Sequence, residues 1–135
     1  MIRYLLDTNI CIELIRKRSQ RVLARLRRRK IGTVGISTIT LAELRYGVAH
    51  SSDPQRNLLA LLHFRAALEI LPFDDHAASA YGELRHSLQR VGTPMGPLDM
   101  LIAAHAVSLK TILVTNNERE FRRVEQLAVE NWLTA

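Results

Sequence analysis

One thiol, Cys11, is all that 135 residues offer for disulfide formation, so an internal bridge is excluded and a reducing, cytoplasmic setting is expected. Its place in the apolar run NICIELI assigns Cys11 to core packing. Long hydrophobic stretches are also lacking. The longest, residues 100–104 resuming at Ala106, falls far short of the ~20 residues a membrane span needs, so no membrane association is expected. Met1 is followed almost at once by Arg3 and Asp7, which does not read as a secretory signal. Glycine (6) and proline (4) are scarce and nothing repeats, which excludes a fibrous or linker-rich chain.

What is present is apolar residue at 47% and an excess of positive charge, net +6 with a pI near 10.2. The first gives enough core for one domain spanning residues 1–135. The second favours polyanions or an acidic protein partner. Much of the charge crowds into one segment, Arg16, Lys17, Arg18, Arg21, Arg25, Arg27, Arg28, Arg29 and Lys30. It reads either as a solvated helix face or as a phosphate-contacting one.

Short apolar runs alternate with helical patterns along the chain. RYLL (residues 3–6) reads as a strand ended by Asp7-Thr8-Asn9, strong helix starters. A basic helix is expected over residues 20–29 on a stripe of Val22, Leu23 and Leu26. TVGIS is a second strand, with Thr38 or Thr40 capping the helix LAELRYGVAH. Asp53-Pro54 starts a helix whose core face is expected at Leu58, Leu61, Leu62 and Leu68. A third strand lies within LEILPF, and Asp75 opens a helix that fades at Gly92. The irregular GTPMGP leads into a nearly all-apolar, hence buried, helix beginning Pro97-Leu98-Asp99. TILVT is a fourth strand, NEREF a short helix, and residues 128–130 a last strand. The alternation predicts an α/β domain with a mostly parallel sheet of four to five strands, covered on both faces as three α/β/α layers.

Such sheets bind ligands at the carboxyl ends of their strands. Asp7 follows strand one; Thr115, Asn116 and Asn117 follow strand four; Glu43 lies about one turn into the helix after strand two. Asp99 opens the buried helix, and Glu120 lies one turn beyond Asn117. Singly, each has an ordinary role: a cap, a dipole partner, a solvated face. Together, acids converging on one edge repel unless a cation lies among them. An all-oxygen donor set, with no histidine or cysteine, indicates Mg2+ or Mn2+ rather than zinc. Such an ion can acidify water for attack on a phosphodiester. The five histidines (His50, His63, His76, His86, His105) stand singly with no HxxxH pair, which assigns them structural or surface roles.

LLDTNICIELI, STITLAELRYG, GPLDMLIAAHA and ILVTNNEREF, in that order, resemble the PIN-domain family, and more narrowly VapC-type toxins of bacterial toxin–antitoxin pairs, especially the enteric-plasmid branch. The resemblance covers essentially the whole chain. It implies a PIN fold, Mg2+-dependent endoribonuclease activity (Mn2+ substituting), and inhibition by a VapB-type antitoxin whose tail lies along a groove. It also implies homodimers and larger toxin–antitoxin complexes. Residue by residue, it places Asp7, Glu43 and Asp99 as metal ligands. A fourth acid of many members falls at Asn117, where this chain departs from the pattern and offers Glu120 one turn later. Asn9, Thr115 and Asn117 become orienting groups behind the carboxylates. Transfer RNA, down to initiator tRNA cut in its anticodon loop, is the implied substrate. For Arg25, Arg27, Arg28 and Arg29, the roles are RNA contact or antitoxin docking.

Rival readings are weaker. A haloacid-dehalogenase-like phosphotransferase needs a second acid where Asn9 stands. A receiver-type domain needs a lysine at a late strand end, whereas Lys110 precedes its strand. A non-catalytic RNA-binding or antitoxin-binding module with relic acids is the alternative, and would be indifferent to chelator.

Overall fold

A computed structural model describes residues 1–134. Twelve elements follow in order: β1 (Tyr4–Leu6), α1 (Thr8–Ile15), α2 (Gln20–Arg27), β2 (Val34–Ser37), α3 (Thr38–His50), α4 (Pro54–Arg65), β3 (Glu69–Leu71), α5 (Asp75–Val91), α6 (Pro97–Leu109), β4 (Ile112–Val114), α7 (Glu118–Phe121) and β5 (Ala128–Glu130). The strands form one sheet in the order β3-β2-β1-β4-β5. Every neighbouring pair is parallel. All carboxyl ends therefore share one edge, with β1 at the centre.

Alternation along the central strands divides the core. Tyr4, Leu6 and Val114 face α1–α4 with Ile10, Leu14, Leu44 and Leu61. Leu5 and Leu113 face α5–α7 with Leu84, Ile102, Ala106 and Phe121. These are the three layers expected. α6 is apolar on every side because residues 102–106 are buried between α5 and the sheet. Cys11 is fully buried, and burial together with the nearby Asp7 charge pushes its thiol well above the ordinary range, as suits a packing role. Among the described residues no helix is long and apolar enough to cross a membrane.

Local details differ from the sequence reading. The cap of α3 is Ser37, whose hydroxyl accepts from the Ile39 N–H (3.0 Å), not Thr38 or Thr40. Three hydroxyl residues near the helix start make the choice invisible to pattern, and backbone direction decides it. α2 ends at Arg27, and of its stripe only Val22 is fully buried. On α4 only Leu61 is buried; Leu62 is 40% and Leu59 69% exposed. This helix packs on α3 rather than squarely on the sheet, so one row of leucines suffices to seat it. At Gly35 in β2, a Cβ would lie 2.7 Å from the Glu69 carbonyl oxygen, so glycine is what lets edge strand β3 approach.

Candidate active site

Asp7 leaves the central strand with its amide bonded to the Val114 carbonyl (2.9 Å) and caps α1. Both its oxygens are held: Oδ1 accepts from the Thr8 N–H (2.8 Å) and Oδ2 from the Thr115 hydroxyl (2.8 Å). Thr115 is oriented in turn by the Asn117 N–H, which donates to its Oγ1 (3.0 Å). Asp7 is only 3% exposed, and burial raises its pKa above the ordinary carboxylate value despite these bonds, with Glu43 and Glu120 adding repulsion.

Glu43 reaches the same edge from α3, where its Oε1 accepts from the Thr8 hydroxyl (2.7 Å). Thr8 thus joins Asp7 through its amide and Glu43 through its side chain. The sequence reading saw it only as part of a helix start.

Asp99, in the first turn of α6, is half-buried, and its carboxyl is pushed up to about 6. Burial is the largest cause, followed by the charges of Asp7 and Glu120 and a hydrogen bond shared with Glu120. Glu120 moves the other way, chiefly because the Gly96 N–H donates to its Oε1 (3.0 Å). Its Oε2 accepts from the Asn117 amide (2.8 Å). It is therefore Glu120 that stands beside Asp99, with Asn117 behind it. Gly96 was missed because a backbone amide leaves no trace in residue type. Asn9 is exposed and makes none of the observed side-chain bonds.

The four acids thus meet at one edge: Thr8 links Asp7 to Glu43, Asp99 shares a hydrogen bond with Glu120, and the Asp7 charge bears on Asp99 as well. The ion pairs among the described residues, Arg18–Glu13 and Arg122–Glu118, involve none of them. As placed, no three acidic side chains among the described residues stand within reach of one ion. Charge and donor type nevertheless fit a hard divalent cation: carboxylate and hydroxyl oxygens, mutual repulsion, and an Asp99 carboxyl pushed up to about 6 by burial and its acidic neighbours.

Of the arginines expected at a partner, two have work inside the fold. Arg25 donates to the Asn131 carbonyl (2.7 Å), and the Arg29 guanidinium lies 4.8 Å from the Tyr4 ring centroid and 5.3 Å from that of Trp132. Arg27 and Arg28 are exposed. A buried network lies beyond the acids. His105 Nδ1 is 2.8 Å from Ser37 Oγ, and its ring also bonds the Pro72 backbone. Burial lowers its pKa, keeping it neutral and structural. An open groove of about 160 Å³ between α1, α3 and α4 is lined by Ile12, Ile15, Leu44, Val48 and Leu61, with Glu43 in its wall.

The PIN domain pattern matches residues 4–127. The chain is 43% identical over 132 residues to the tRNA(fMet)-specific endonuclease VapC of Shigella flexneri, covering 98% of this chain and 99% of that one. The structure of DNA-bound VapBC from Salmonella typhimurium superposes with a TM-score of 0.93 at 42% identity, covering 98% and 99% of the two chains. VapBC2 from Rickettsia felis, bound to a promoter DNA fragment, gives 0.92 at 41% with the same coverage. The chain belongs to the PIN-domain family, in its VapC branch.

Proposed function

We propose that this protein is the toxin of a toxin–antitoxin pair, a divalent-metal-dependent endoribonuclease that cuts transfer RNA and is held in check by a VapB-type antitoxin. One observation carries the reading. Four carboxylates, from the end of β1 and from α3, α6 and α7, gather at the carboxyl edge of the sheet in a chain whose relatives are named ribonucleases. Initiator tRNA is the proposed target because a relative at 43% identity is named for it. One PIN domain in the cytoplasm carries the activity, and two copies pair in the larger toxin–antitoxin assembly.

Asp7, Glu43 and Asp99 would hold the ion, with Glu120 beside Asp99. Bound Mg2+ or Mn2+ supplies positive charge that acidifies a water and offsets charge on the attacked phosphate. The chain's own part is orientation. Thr115 and the Thr8 amide fix both oxygens of Asp7, so its carboxylate cannot rotate away. The Thr8 hydroxyl fixes Glu43 against it. The Gly96 amide and Asn117 hold Glu120 ionised, which leaves Asp99 as the member of that pair able to take up a proton. Water adds to phosphorus, the bond to the 3′ oxygen breaks, and the ends are 5′-phosphate and 3′-hydroxyl. The apolar groove that includes Glu43 is the proposed seat of an antitoxin segment.

The test is cleavage of total RNA by purified protein in Mg2+ or Mn2+, repeated in EDTA and with Asp99→Asn. Cutting that persists in chelator, or in the variant, overturns the metal-dependent reading in favour of another mechanism. Binding without cutting favours the non-catalytic module.

A further inference from the structure

The end of the arginine-rich segment sits at the opposite edge of the sheet from the acids. The Lys30 carbonyl accepts from the Thr33 N–H (3.1 Å) and hydroxyl (2.6 Å). The Thr33 carbonyl accepts from the amides of Arg3 (2.8 Å) and Tyr4 (3.0 Å). The chain leaving α2 is thereby pinned where β1 and β2 begin. Asp7 lies three residues on from Tyr4, about 10 Å away at the strand rise.

Part of this charge is used within the fold. Arg18 pairs with Glu13 (3.2 Å), Arg21 and Arg25 bond the carbonyls of Leu133 (3.1 Å) and Asn131 (2.7 Å), and Arg29 stacks on Tyr4 and Trp132. Arg27, Arg28 and Lys30, at the end of α2 and just after it, are exposed and have no carboxylate partner among the described residues. No acid occurs in the sequence between Glu13 and Glu43 to offset them. Three cations repelling one another at one edge are relieved by a polyanion. A protein partner would want apolar anchors as well. The large exposed apolar side chains of α3 and α4 (Tyr46, Leu59, Leu62) lie elsewhere, with Ile31 the exception in this segment.

We propose that this far edge is a second anchoring surface for RNA backbone. While one strand crosses the acids, another part of the same folded RNA lies against Arg27, Arg28 and Lys30. The proposal rests on the ribonuclease reading above and adds a size selection to it. A short single strand that fills the acid edge does not reach the cations, whereas a folded RNA spans both.

The experiment compares the protein with its Arg27→Gln/Arg28→Gln variant on transfer RNA and on a single-stranded oligonucleotide of about six nucleotides covering the mapped cut. Circular dichroism and thermal melting confirm folding. KM for transfer RNA should rise about tenfold with kcat within about twofold, and the slope of log kcat/KM against log salt should become shallower by roughly 1.5. Kinetics on the oligonucleotide should not change. Identical kinetics on both RNAs, or equal losses on both, overturn the remote surface while leaving the nuclease reading standing. Unchanged transfer RNA kinetics with weakened antitoxin binding overturn it in favour of a protein partner. No cutting by the unsubstituted protein refutes the ribonuclease reading instead.

Discussion

Replacing Asp99 by asparagine should stabilise the metal-free protein while removing its response to metal. The carboxyl of Asp99 moves from an ordinary 3.8 to about 6. Linkage sets that displacement at up to about 3 kcal/mol against the folded state at neutral pH. Asp99 is only half-buried, and solvent screening reduces the figure to about 1–2 kcal/mol. For a domain of this size that corresponds to a melting point about 4–8 °C higher in Asp99→Asn. The sign follows from proton binding. Between 3.8 and about 6 the folded chain keeps a proton that the unfolded chain releases, so stability is lost as pH rises through that window. The gap between variant and parent should therefore be near zero at about pH 4 and largest above about pH 6. Differential scanning fluorimetry across pH in EDTA measures it. Repeating the scan with Mn2+ should raise the parent's melting point and leave the variant's in place. A gap independent of pH would mean that charge crowding is not the cause. An equal Mn2+ response in both proteins would remove Asp99 from the ligand set.

Asp7→Asn should keep the cap through its amide oxygen while its NH2 turns to donate to the Thr115 hydroxyl, remain folded, and lose growth inhibition on expression in bacteria; a folded variant that still arrests growth contradicts the site. Thr8→Val deletes the hydroxyl shared with Glu43 and should lower metal affinity about 10–100-fold, read by titration calorimetry, with little change in melting point. Gly35→Ala forces a Cβ against the Glu69 carbonyl and should cost about 1–3 kcal/mol in urea unfolding, without altering metal affinity.

All five strands were legible in the sequence because short apolar runs such as RYLL and TILVT end in residues that cannot continue them. Their carboxyl-terminal neighbours, Asp7 and Thr115, were legible for the same reason: a parallel sheet sends them to one edge whatever the details. Pattern failed where tertiary packing decides. The leucines of α4 look alike along the chain, yet α3 and the sheet leave room to bury only Leu61. The arginines after Arg16 form one cluster by composition, yet the fold sends Arg25 and Arg29 inward and leaves Arg27 and Arg28 outside. Thr8 and Gly96 act on the acids through an amide, in Thr8 together with a hydroxyl, and neither role depends on a residue type that signals chemistry.

The amides that hold Asp7 in place and orient Glu120 belong to parts of the molecule with unequal stiffness. The Asp7 amide is locked into the central ladder, buried, and can exchange its hydrogen only when the sheet itself opens. The Gly96 amide, which holds Glu120, belongs to an exposed loop tied across by Arg123 to the Pro94 carbonyl, and can open alone. Asp7 on the central strand and Asp99 on buried α6 are thus anchored in the core, and of the four acids it is Glu120 whose hold yields first.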